Sequence, residues 1–313
     1  MSGRAGLERL QGLLEAHLFV NAAPSECALS LTLHPAPLAL PEGETVCRTG
    51  ELHVSRLTSG FTLQLRGAGL RVWPARGEAQ LYLGNVEACS AGEQRDFFLL
   101  ALLMLLRPAG RYGLHANALT LGGHGLGGHG LLIIGPSGAG KTTLSLRLHE
   151  AGWRALSDDA VLLEPGVSGV RVHALRRDFA CTERTLERLR TDYTHLAAEP
   201  NGKQLVRLTH ESEAGTCVPT ALLFPQLSTT FNSSLEPLPK AQALILAAQQ
   251  SAGIMTDPDV SQRQLSALRD LIAQTRTYRL FAGYDVLEAP ARVSELLART
   301  LDEASEPVGA SRG

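Results

Sequence analysis

The amino-acid sequence predicts an α/β protein whose core is organised around a glycine-rich loop and is preceded by a small β-rich (α+β) module. Apolar residues 131–134 have strand character and lead through a glycine-rich segment into a helical segment with an apolar face. Short segments of β-type residues crowd the region between residues 26 and 85, where Pro, Gly and Ser separate them. Alternating strands and helices after this region favour an α/β core.

The N-terminal module has one predicted helix and several predicted strands. Leucines at helical spacing predict a short amphipathic helix within the first twenty residues. Strands are predicted at residues 28–33, 51–57, 61–65, 70–73 and 80–83. A strongly apolar helix over residues 93–107 follows them. We therefore place the boundary near residue 90, with the module at 1–90, the loop-bearing domain at 91–304 and a disordered tail at 305–313.

The segment after residue 134 fits the pattern G-x-x-x-x-G-K-[ST]. Glycine lets the backbone pass close to phosphate oxygens and turn its N–H groups toward them. The N-terminus of the following helix adds partial positive charge, and Lys141 adds a cation for the β and γ phosphates. Thr142 is the expected Mg²⁺ ligand, because Mg²⁺ takes few protein oxygens beside phosphate and water. The residues expected to bind nucleotide are Gly135, Pro136, Ser137, Gly138, Ala139, Gly140, Lys141, Thr142 and Thr143.

Two adjacent carboxylates, Asp158 and Asp159, interrupt an apolar stretch beyond the loop helix. Their burial would be costly without a cation or hydrogen-bond donors, so a Mg²⁺ ion beside phosphate is an economical explanation. Strand alternation points the two side chains to opposite sides. One carboxylate can meet the metal and the other an attacking hydroxyl if the strand end is irregular enough to bring both near the γ-phosphate. A solvated turn between two strands is the alternative.

Beyond the carboxylate pair, strands and helices continue to alternate. Strands are predicted at residues 170–174, 221–224 and 278–286, and helices at residues 182–195, 261–275 and 291–304. The polar stretch 197–202 leads to Lys203, Arg207 and His210. Lys203 or Arg207 could neutralise a transferring phosphate, as cations do in phosphoryl transfer. Solvated loop charges are the alternative.

Composition and charge limit the classes of partner. The 313 residues are 44% hydrophobic and 19% charged, as in ordinary globular proteins. A formal net charge of −2 gives no long-range attraction for polyanions, so we expect neither nucleic acid nor a membrane as partner. The longest apolar run, residues 97–106, has about half the length of a bilayer span and predicts a buried helix.

Cysteine usage and the N-terminal residues bear on location. The sequence has 5 cysteines without C-x-x-C spacing, so neither a zinc site nor a disulfide framework is indicated. The first residues have charges scattered among apolar positions and lack the apolar core of a secretory signal. We expect a cytoplasmic protein, and the sequence leaves a homo-oligomer open.

Several short motifs resemble one known family. They are GPSGAGKTT in the loop, Ala-Gly-Trp-Arg at 151–154, Ser-Asp-Asp-Ala-Val at 157–161 and Leu-His-Ala-Asn-Ala at 114–118. Together these residues resemble the HPr kinase/phosphorylase family, and most closely its shorter HPr-kinase-like relatives. The resemblance covers residues 113–164. It implies a P-loop kinase core of the HPr kinase/PEP carboxykinase-like type.

The resemblance also implies roles for individual residues, with ATP and Mg²⁺ as cofactors. Lys141 would bind phosphate, and Thr142 would bind Mg²⁺. Asp159 would be the catalytic base that accepts the proton of the acceptor hydroxyl, and Asp158 would support the metal. His115 matches a histidine that lies near the phosphates in the family.

Departures from the family pattern leave the acceptor open. Thr142 and Thr143 stand where the family usually has Ser-Glu after the lysine, and the downstream glycine-rich signature with a metal-binding glutamate is missing. The acceptor hydroxyl could belong to a protein, a peptide or a small molecule. A non-catalytic ATP-binding regulator is the alternative function. A transport ATPase is not indicated, because the sequence has neither an LSGGQ segment nor an apolar strand ending in Asp-Glu.

Overall fold

The computed structural model describes residues 29–34, 36–49, 51–82, 91–122, 129–176, 178–198, 202–209, 215–251 and 258–303. The helix predicted in the first twenty residues and the tail at 305–313 lie outside these ranges. Within them the chain is a mixed α/β protein with four sheets. None of the helices in these ranges is long and apolar enough to cross a membrane.

The first sheet contains β1 (Ser30–Leu33), β2 (Glu44–Thr49), β3 (Leu52–Leu57), β4 (Gly60–Leu65), β5 (Ala68–Trp73) and β6 (Glu78–Tyr82). Its spatial order is β1-β6-β5-β4-β3-β2, with antiparallel neighbours except for the parallel pair of β1 and β6. In the turn between β4 and β5, Arg66 and Gly67 have φ values of 42° and 83°. Two positive φ values suit a tight hairpin, because they match the twist of the strands. The sequence prediction lacks β2, whose residues ETVCRT show little apolar alternation.

The helix α1 (Ala91–Leu106) lies between two hydrophobic cores. Four of its buried residues pack on the first sheet, namely Phe97, Ala101, Met104 and Leu105, and the partly buried Phe98 and Leu100 pack there too. Leu103 packs instead with Ala160 and Leu162. A helix with apolar residues on several sides is a buried helix, in agreement with the prediction for residues 97–106. Because α1 contributes to both cores, the division near residue 90 stays a prediction.

The second sheet leads into the glycine-rich loop and mixes parallel and antiparallel pairs. In spatial order its strands are β10 (Arg154–Ser157), β8 (Ala116–Leu121), β9 (His129–Ile134), β17 (Pro219–Leu227), β19 (Arg276–Ala282) and β18 (Ser234–Pro237). The strand β17 is parallel to both β9 and β19, whereas the outer pairs are antiparallel. The loop therefore begins near the centre of this sheet.

Helices cover both faces of the second sheet. One face packs against α2 (Lys141–Glu150) and α7 (Pro290–Glu303), and the other against α4 (Lys240–Gln249) and α5 (Pro258–Gln274). Along β9, Leu131 and Ile133 pack on the face covered by α2 and α7, and Leu132 and Ile134 pack on the face covered by α4 and α5. Burial on both faces explains why residues 131–134 form a continuous apolar run in the sequence.

Two smaller sheets complete the second part of the chain. One contains β16 (Thr216–Cys217), β12 (Gly169–Ala174), β11 (Val161–Gly166) and β7 (Tyr112–Leu114) in that order. The other contains β13 (Phe179–Cys181), β15 (Gln204–Leu208) and β14 (Tyr193–Ala198). Residues 158–160 connect β10 of the second sheet to β11 of the four-stranded sheet, so the Asp pair lies where the chain passes from one sheet to the other.

Two sequence predictions in this part are wrong. The helix predicted at residues 182–195 is the short α3 (Glu183–Leu186), with the Thr182 side chain as its N-cap. The residues that follow it form β14, because they pair with β15 and this pairing outweighs local helical spacing. The strand predicted at residues 278–286 ends at Ala282, and the helix α6 (Asp285–Glu288) follows.

Candidate functional site

The loop between β9 and α2 places Lys141 at the first position of the helix. Gly138 and Gly140 have φ values of 85° and 86°, which residues with a Cβ rarely adopt. A Cβ built on Gly138 would meet no atom within 4 Å, and Pro136 and Ser137 are also exposed. The structure thus has a strand, a glycine-rich turn and a helix in the predicted order. The outer surface of the turn is open to a ligand.

The ammonium group of Lys141 is buried beside the loop. Its Nζ atom donates to the carbonyl oxygen of Gly135 at 2.9 Å and to Nε2 of His115 at 2.9 Å. The Nζ atom also lies 3.4 Å from Oδ1 of Asp159. Burial lowers the pKa of Lys141, while the charge of Asp159 opposes this shift. A buried cation therefore stands between the loop and the Asp pair.

His115 lies between β7 and β8, and its backbone N–H donates to the carbonyl oxygen of Gln250 at 2.8 Å. Because an ammonium group can only donate, the contact with Lys141 requires the lone pair of the His115 Nε2 atom. Burial lowers the pKa of His115, although the charge of Asp159 raises it. A neutral imidazole that orients Lys141 agrees with both observations.

Asp158 is almost completely buried, with 1% of its surface exposed. Its Oδ1 atom accepts hydrogen bonds from Nδ2 of Asn117 at 2.7 Å and from the Thr142 hydroxyl at 2.8 Å. Its Oδ2 atom accepts one from the backbone N–H of Ala180 at 3.0 Å. Burial, followed by the charge of Asp159, raises the pKa of Asp158 to about 6, and the charge of Arg176 together with the hydrogen bonds from Ala180 and Thr142 limits the shift.

Asp159 faces the cations, and its side chain is 31% exposed. Its Oδ1 atom lies 3.3 Å from Nε2 of His115, and its Oδ2 atom lies 3.6 Å from Nη1 of Arg176. Burial by itself raises the pKa of Asp159, but interactions with His115 and with the positively charged Lys141 and Arg176 outweigh burial and lower the pKa. This carboxylate is therefore ionised at neutral pH.

The backbone at Asp159 has the irregularity that the sequence argument required. Its φ is 63°, a left-handed value that is uncommon for a residue other than glycine and that aspartate tolerates better than most. The backbone N–H of Asp159 donates to Oδ1 of Asn117 at 3.0 Å, which holds this conformation. The turn brings the Asp159 carboxylate to Lys141 while Asp158 remains buried.

Asn117 and Arg176 are site residues to which the sequence analysis gave no role. Asn117 is fully buried on β8, where its amide also donates to the Ser145 hydroxyl at 2.9 Å. A buried amide residue within the mostly apolar strand residues ANALTL is a signal that could have identified it. Arg176 has no such signal, because it lies in a run of polar residues after β12.

The other predicted residues divide between the site and its surroundings. Thr142 contacts Asp158, as described, whereas the Thr143 hydroxyl lies 2.9 Å from that of Thr185. Arg207 donates two hydrogen bonds to the buried carboxylate of Asp178, at 2.7 and 2.8 Å. Lys203 adds positive charge near Asp159. His210 lies outside the described residues.

A cavity of about 420 Å³ borders the loop. Gly138, Ala139 and Gly140 form one part of its wall. Other lining residues are Thr143, Thr182, Pro225, Leu227, Tyr284 and Val286. Neither member of the Asp pair lines this cavity. The cavity therefore borders Gly138 to Gly140, whereas the Asp pair contacts Lys141 and Thr142.

The residues around Thr142 fit a Mg²⁺ ion that is held mainly by a phosphate ligand. The Thr142 hydroxyl and the Asp158 carboxylate are oxygen donors 2.8 Å apart, which suits the oxygen preference of this ion. Among the described residues, no group of three or more His, Cys, Asp and Glu side chains could hold a metal by itself. Phosphate oxygens and water would have to supply the remaining ligands.

The fold and these contacts define a mixed α/β protein with a buried lysine, a neutral histidine and two unequal carboxylates beside a glycine-rich loop. The sequence matches no protein-family model. It also matches no curated protein. Among solved structures, the HPr(Ser) kinase/phosphatase from Coxiella burnetii is distantly similar, with 12% sequence identity and a TM-score of 0.31. The similarity covers 61% of this chain and 92% of that chain.

Proposed function

We propose that this protein is an ATP- and Mg²⁺-dependent phosphotransferase of the HPr-kinase-like type that transfers the γ-phosphate to a hydroxyl group. The acceptor would be a serine of a protein, a peptide or a small molecule. The observation that carries this proposal is the position of Asp159, an ionised and partly exposed carboxylate 3.4 Å from the loop lysine Lys141. A kinase of this kind needs a carboxylate beside the phosphate site, where it can accept the proton of the acceptor hydroxyl.

The loop and the neighbouring cavity would bind ATP as an extended ligand. The open backbone at Gly138 and the N-terminus of α2 suit the phosphates, because unpaired N–H groups and the helix dipole favour anions. The cavity beyond Gly140 has room and apolar walls for a nucleoside. This arrangement would direct the terminal phosphate toward Lys141 and Asp159.

Thr142 and Asp158 would hold Mg²⁺ beside the phosphates. When bound, Mg²⁺ supplies positive charge for the phosphate oxygens. Asn117 and the Ala180 N–H fix the Asp158 carboxylate so that it faces the Thr142 hydroxyl. Asp158 would thus act through binding and orientation of the nucleotide rather than through contact with the acceptor.

Asp159 would orient the acceptor hydroxyl and accept its proton. The lowered pKa keeps the carboxylate ionised, and its exposure makes it accessible to a second substrate. His115 would keep Lys141 directed at the phosphates by accepting one of its N–H bonds. The cations around Asp159 would also stabilise charge that develops on the transferring phosphate.

A nucleotide-binding regulator without transferase activity is the second candidate. The observation that favours it is the bonding of Asp158, whose two oxygen atoms already accept three hydrogen bonds from Asn117, Thr142 and Ala180. In such a protein the Asp158 carboxylate would serve mainly to couple the loop to β13. ATP binding would then change the conformation without phosphate transfer.

Incubation with γ-labelled ATP, Mg²⁺ and candidate acceptors, including the protein itself, tests the two candidates. The phosphotransferase predicts a labelled product with the wild type. Binding of Mg-ATP without product from any acceptor would favour the regulator. Failure of the wild type to bind Mg-ATP in calorimetry would contradict both.

A further inference from the structure

The backbone of Arg176 is fixed beside the Asp pair. The Arg176 carbonyl oxygen accepts a hydrogen bond from the backbone N–H of Asp158 at 3.2 Å. The Ser157 hydroxyl lies 3.0 Å from both the backbone nitrogen and the carbonyl oxygen of Arg176. These contacts hold Arg176 against the segment that carries both carboxylates. The backbone position from which the Arg176 side chain extends is therefore fixed.

The guanidinium group of Arg176 is buried but poorly bonded. Its side chain is 5% exposed, and within the described residues its Nε and Nη2 atoms have no hydrogen-bond partner. The nearest acceptor for Nη1 is Oδ2 of Asp159 at 3.6 Å, which is longer than a hydrogen bond. A buried cation with unused donors is costly unless a further anion binds to it.

Arg147 is a second buried arginine, and its two terminal nitrogens are bonded although its Nε atom also has no partner among the described residues. It is as buried as Arg176, with 4% of its surface exposed. Its Nη1 atom donates to the Glu150 carboxylate, and its Nη2 atom donates to the carbonyl oxygen of Leu287 at 2.7 Å. Both terminal nitrogens of Arg147 thus have protein partners. Among the described residues, the Nη2 atom of Arg176 has no such partner, and its Nη1 atom has only the Asp159 carboxylate at 3.6 Å.

The surroundings of Asp159 indicate which anion Arg176 would bind. Lys141 approaches Oδ1 of Asp159, and Arg176 approaches the opposite oxygen, Oδ2. A group seated beside Asp159 would therefore lie between the ammonium group of Lys141 and the guanidinium group of Arg176. In phosphoryl transfer, that is the position of the transferring group, whose equatorial oxygens carry the charge that cations stabilise.

We propose that Arg176 binds the terminal phosphoryl group of the nucleotide through its unused guanidinium donors. This inference rests on the proposed function, because it requires ATP at the loop. A guanidinium group can offer two parallel N–H donors to one phosphate. Arg176 would then discriminate between nucleoside triphosphate and diphosphate, since the diphosphate lacks the group that it contacts.

Calorimetry of Mg-ATP and Mg-ADP binding to Arg176→Gln tests this assignment. The wild type should bind Mg-ATP more tightly than Mg-ADP. In Arg176→Gln, the affinity for Mg-ATP should fall by about tenfold or more, because hydrogen bonds to a charged group are lost. The affinity for Mg-ADP should stay within about threefold. The preference for ATP would be largely lost.

Two further variants make the experiment decisive. Arg147→Gln removes an equally buried arginine and should leave the ATP preference unchanged, whatever it does to stability. Arg176→Lys keeps a positive charge if Arg176→Gln does not fold, and its ATP preference should also fall because one ammonium replaces two parallel donors. A folded variant of Arg176 with the wild-type preference would overturn the assignment alone. A wild type that binds neither nucleotide would overturn the proposed function as well.

Discussion

The surroundings of Asp158 and Asp159 differ although the two residues are neighbours in the sequence. Asp158 is buried among the uncharged donors of Asn117, Thr142 and Ala180, and its pKa is raised to about 6, chiefly by burial. Asp159 is partly exposed among cations, and these lower its pKa despite burial. The difference is that one carboxylate is bonded to the loop residue Thr142, while the other is partly exposed among charged side chains.

The left-handed turn at Asp159 produces this difference. In a regular strand, adjacent side chains would point to opposite faces of one sheet. Here the chain leaves β10 and enters β11 of another sheet, and Asn117 bonds both to the Asp158 carboxylate and to the Asp159 N–H. The two aspartate side chains thus have different environments although the residues are adjacent in the chain.

The largest expected effect is on phosphate transfer by Asp159→Asn. Asparagine keeps the size of the side chain but cannot accept the proton, so transfer should fall by about 10² to 10⁴. Binding of Mg-ATP should remain within a few-fold, because Lys141 and the loop are unchanged. Asp158→Asn should weaken Mg-ATP binding and transfer together. Full transfer by Asp159→Asn would remove Asp159 from the reaction.

A smaller effect is expected on nucleotide affinity in Lys141→Ala, which removes the ammonium group that lies 3.4 Å from Asp159. The affinity for Mg-ATP should fall by about 10- to 100-fold, as for the loss of a hydrogen bond between charged groups. Lys240→Ala is the matched control, because Lys240 also begins a helix but donates to backbone carbonyl oxygens at the end of α5. Unchanged calorimetric affinity in a folded Lys141→Ala variant would contradict the role of the loop.

On the Asp158 side, Asn117→Ala should lower the free energy of unfolding by about 1–3 kcal/mol. The substitution leaves the buried Asp158 carboxylate without one donor and the Asp159 N–H without its acceptor. Urea denaturation measures the change. Alanine at the exposed Asn232 should change stability by less than about 0.5 kcal/mol. Equal stability of the two variants would show that Asn117 does not hold the turn.

The smallest expected effect is a pH dependence of stability with opposite signs at the two carboxylates. The pKa of Asp158 is about 6 in the folded protein against 3.8 unfolded, so its contribution is present at low pH and is lost as pH rises toward 6. The pKa of Asp159 is lowered, so its contribution is present above pH 3.8 and is lost as pH falls below it.

Urea denaturation between pH 4 and pH 6.5 would separate these contributions. Relative to the wild type, Asp158→Asn should lack a component of stability that decreases as pH rises through this range. Asp159→Asn should retain that component. Identical pH profiles for the wild type and Asp158→Asn would show that burial does not hold a proton on Asp158.

Local sequence determined the central part of the fold. The apolar run before the loop, the glycines and the following helix depend on residues close together in the chain, and the structure has these elements in the predicted order. The N-cap at Thr182 is equally local, because capping is a hydrogen bond between residues close together in the chain. The extent of α3 was predicted incorrectly, because the pairing of β14 with a distant strand decides where that helix ends.

The contacts of the candidate site were decided by tertiary structure. The sequence contained Lys141, Thr142 and the Asp pair as motifs, but it could not show that Asn117 bonds both aspartates or that Arg176 lies beside Asp159. These contacts join residues 41, 42 and 17 positions apart, and they form only when three strands and a turn pack together. Periodicity and propensity describe neighbours along the chain, whereas burial and charge at the site depend on neighbours in space.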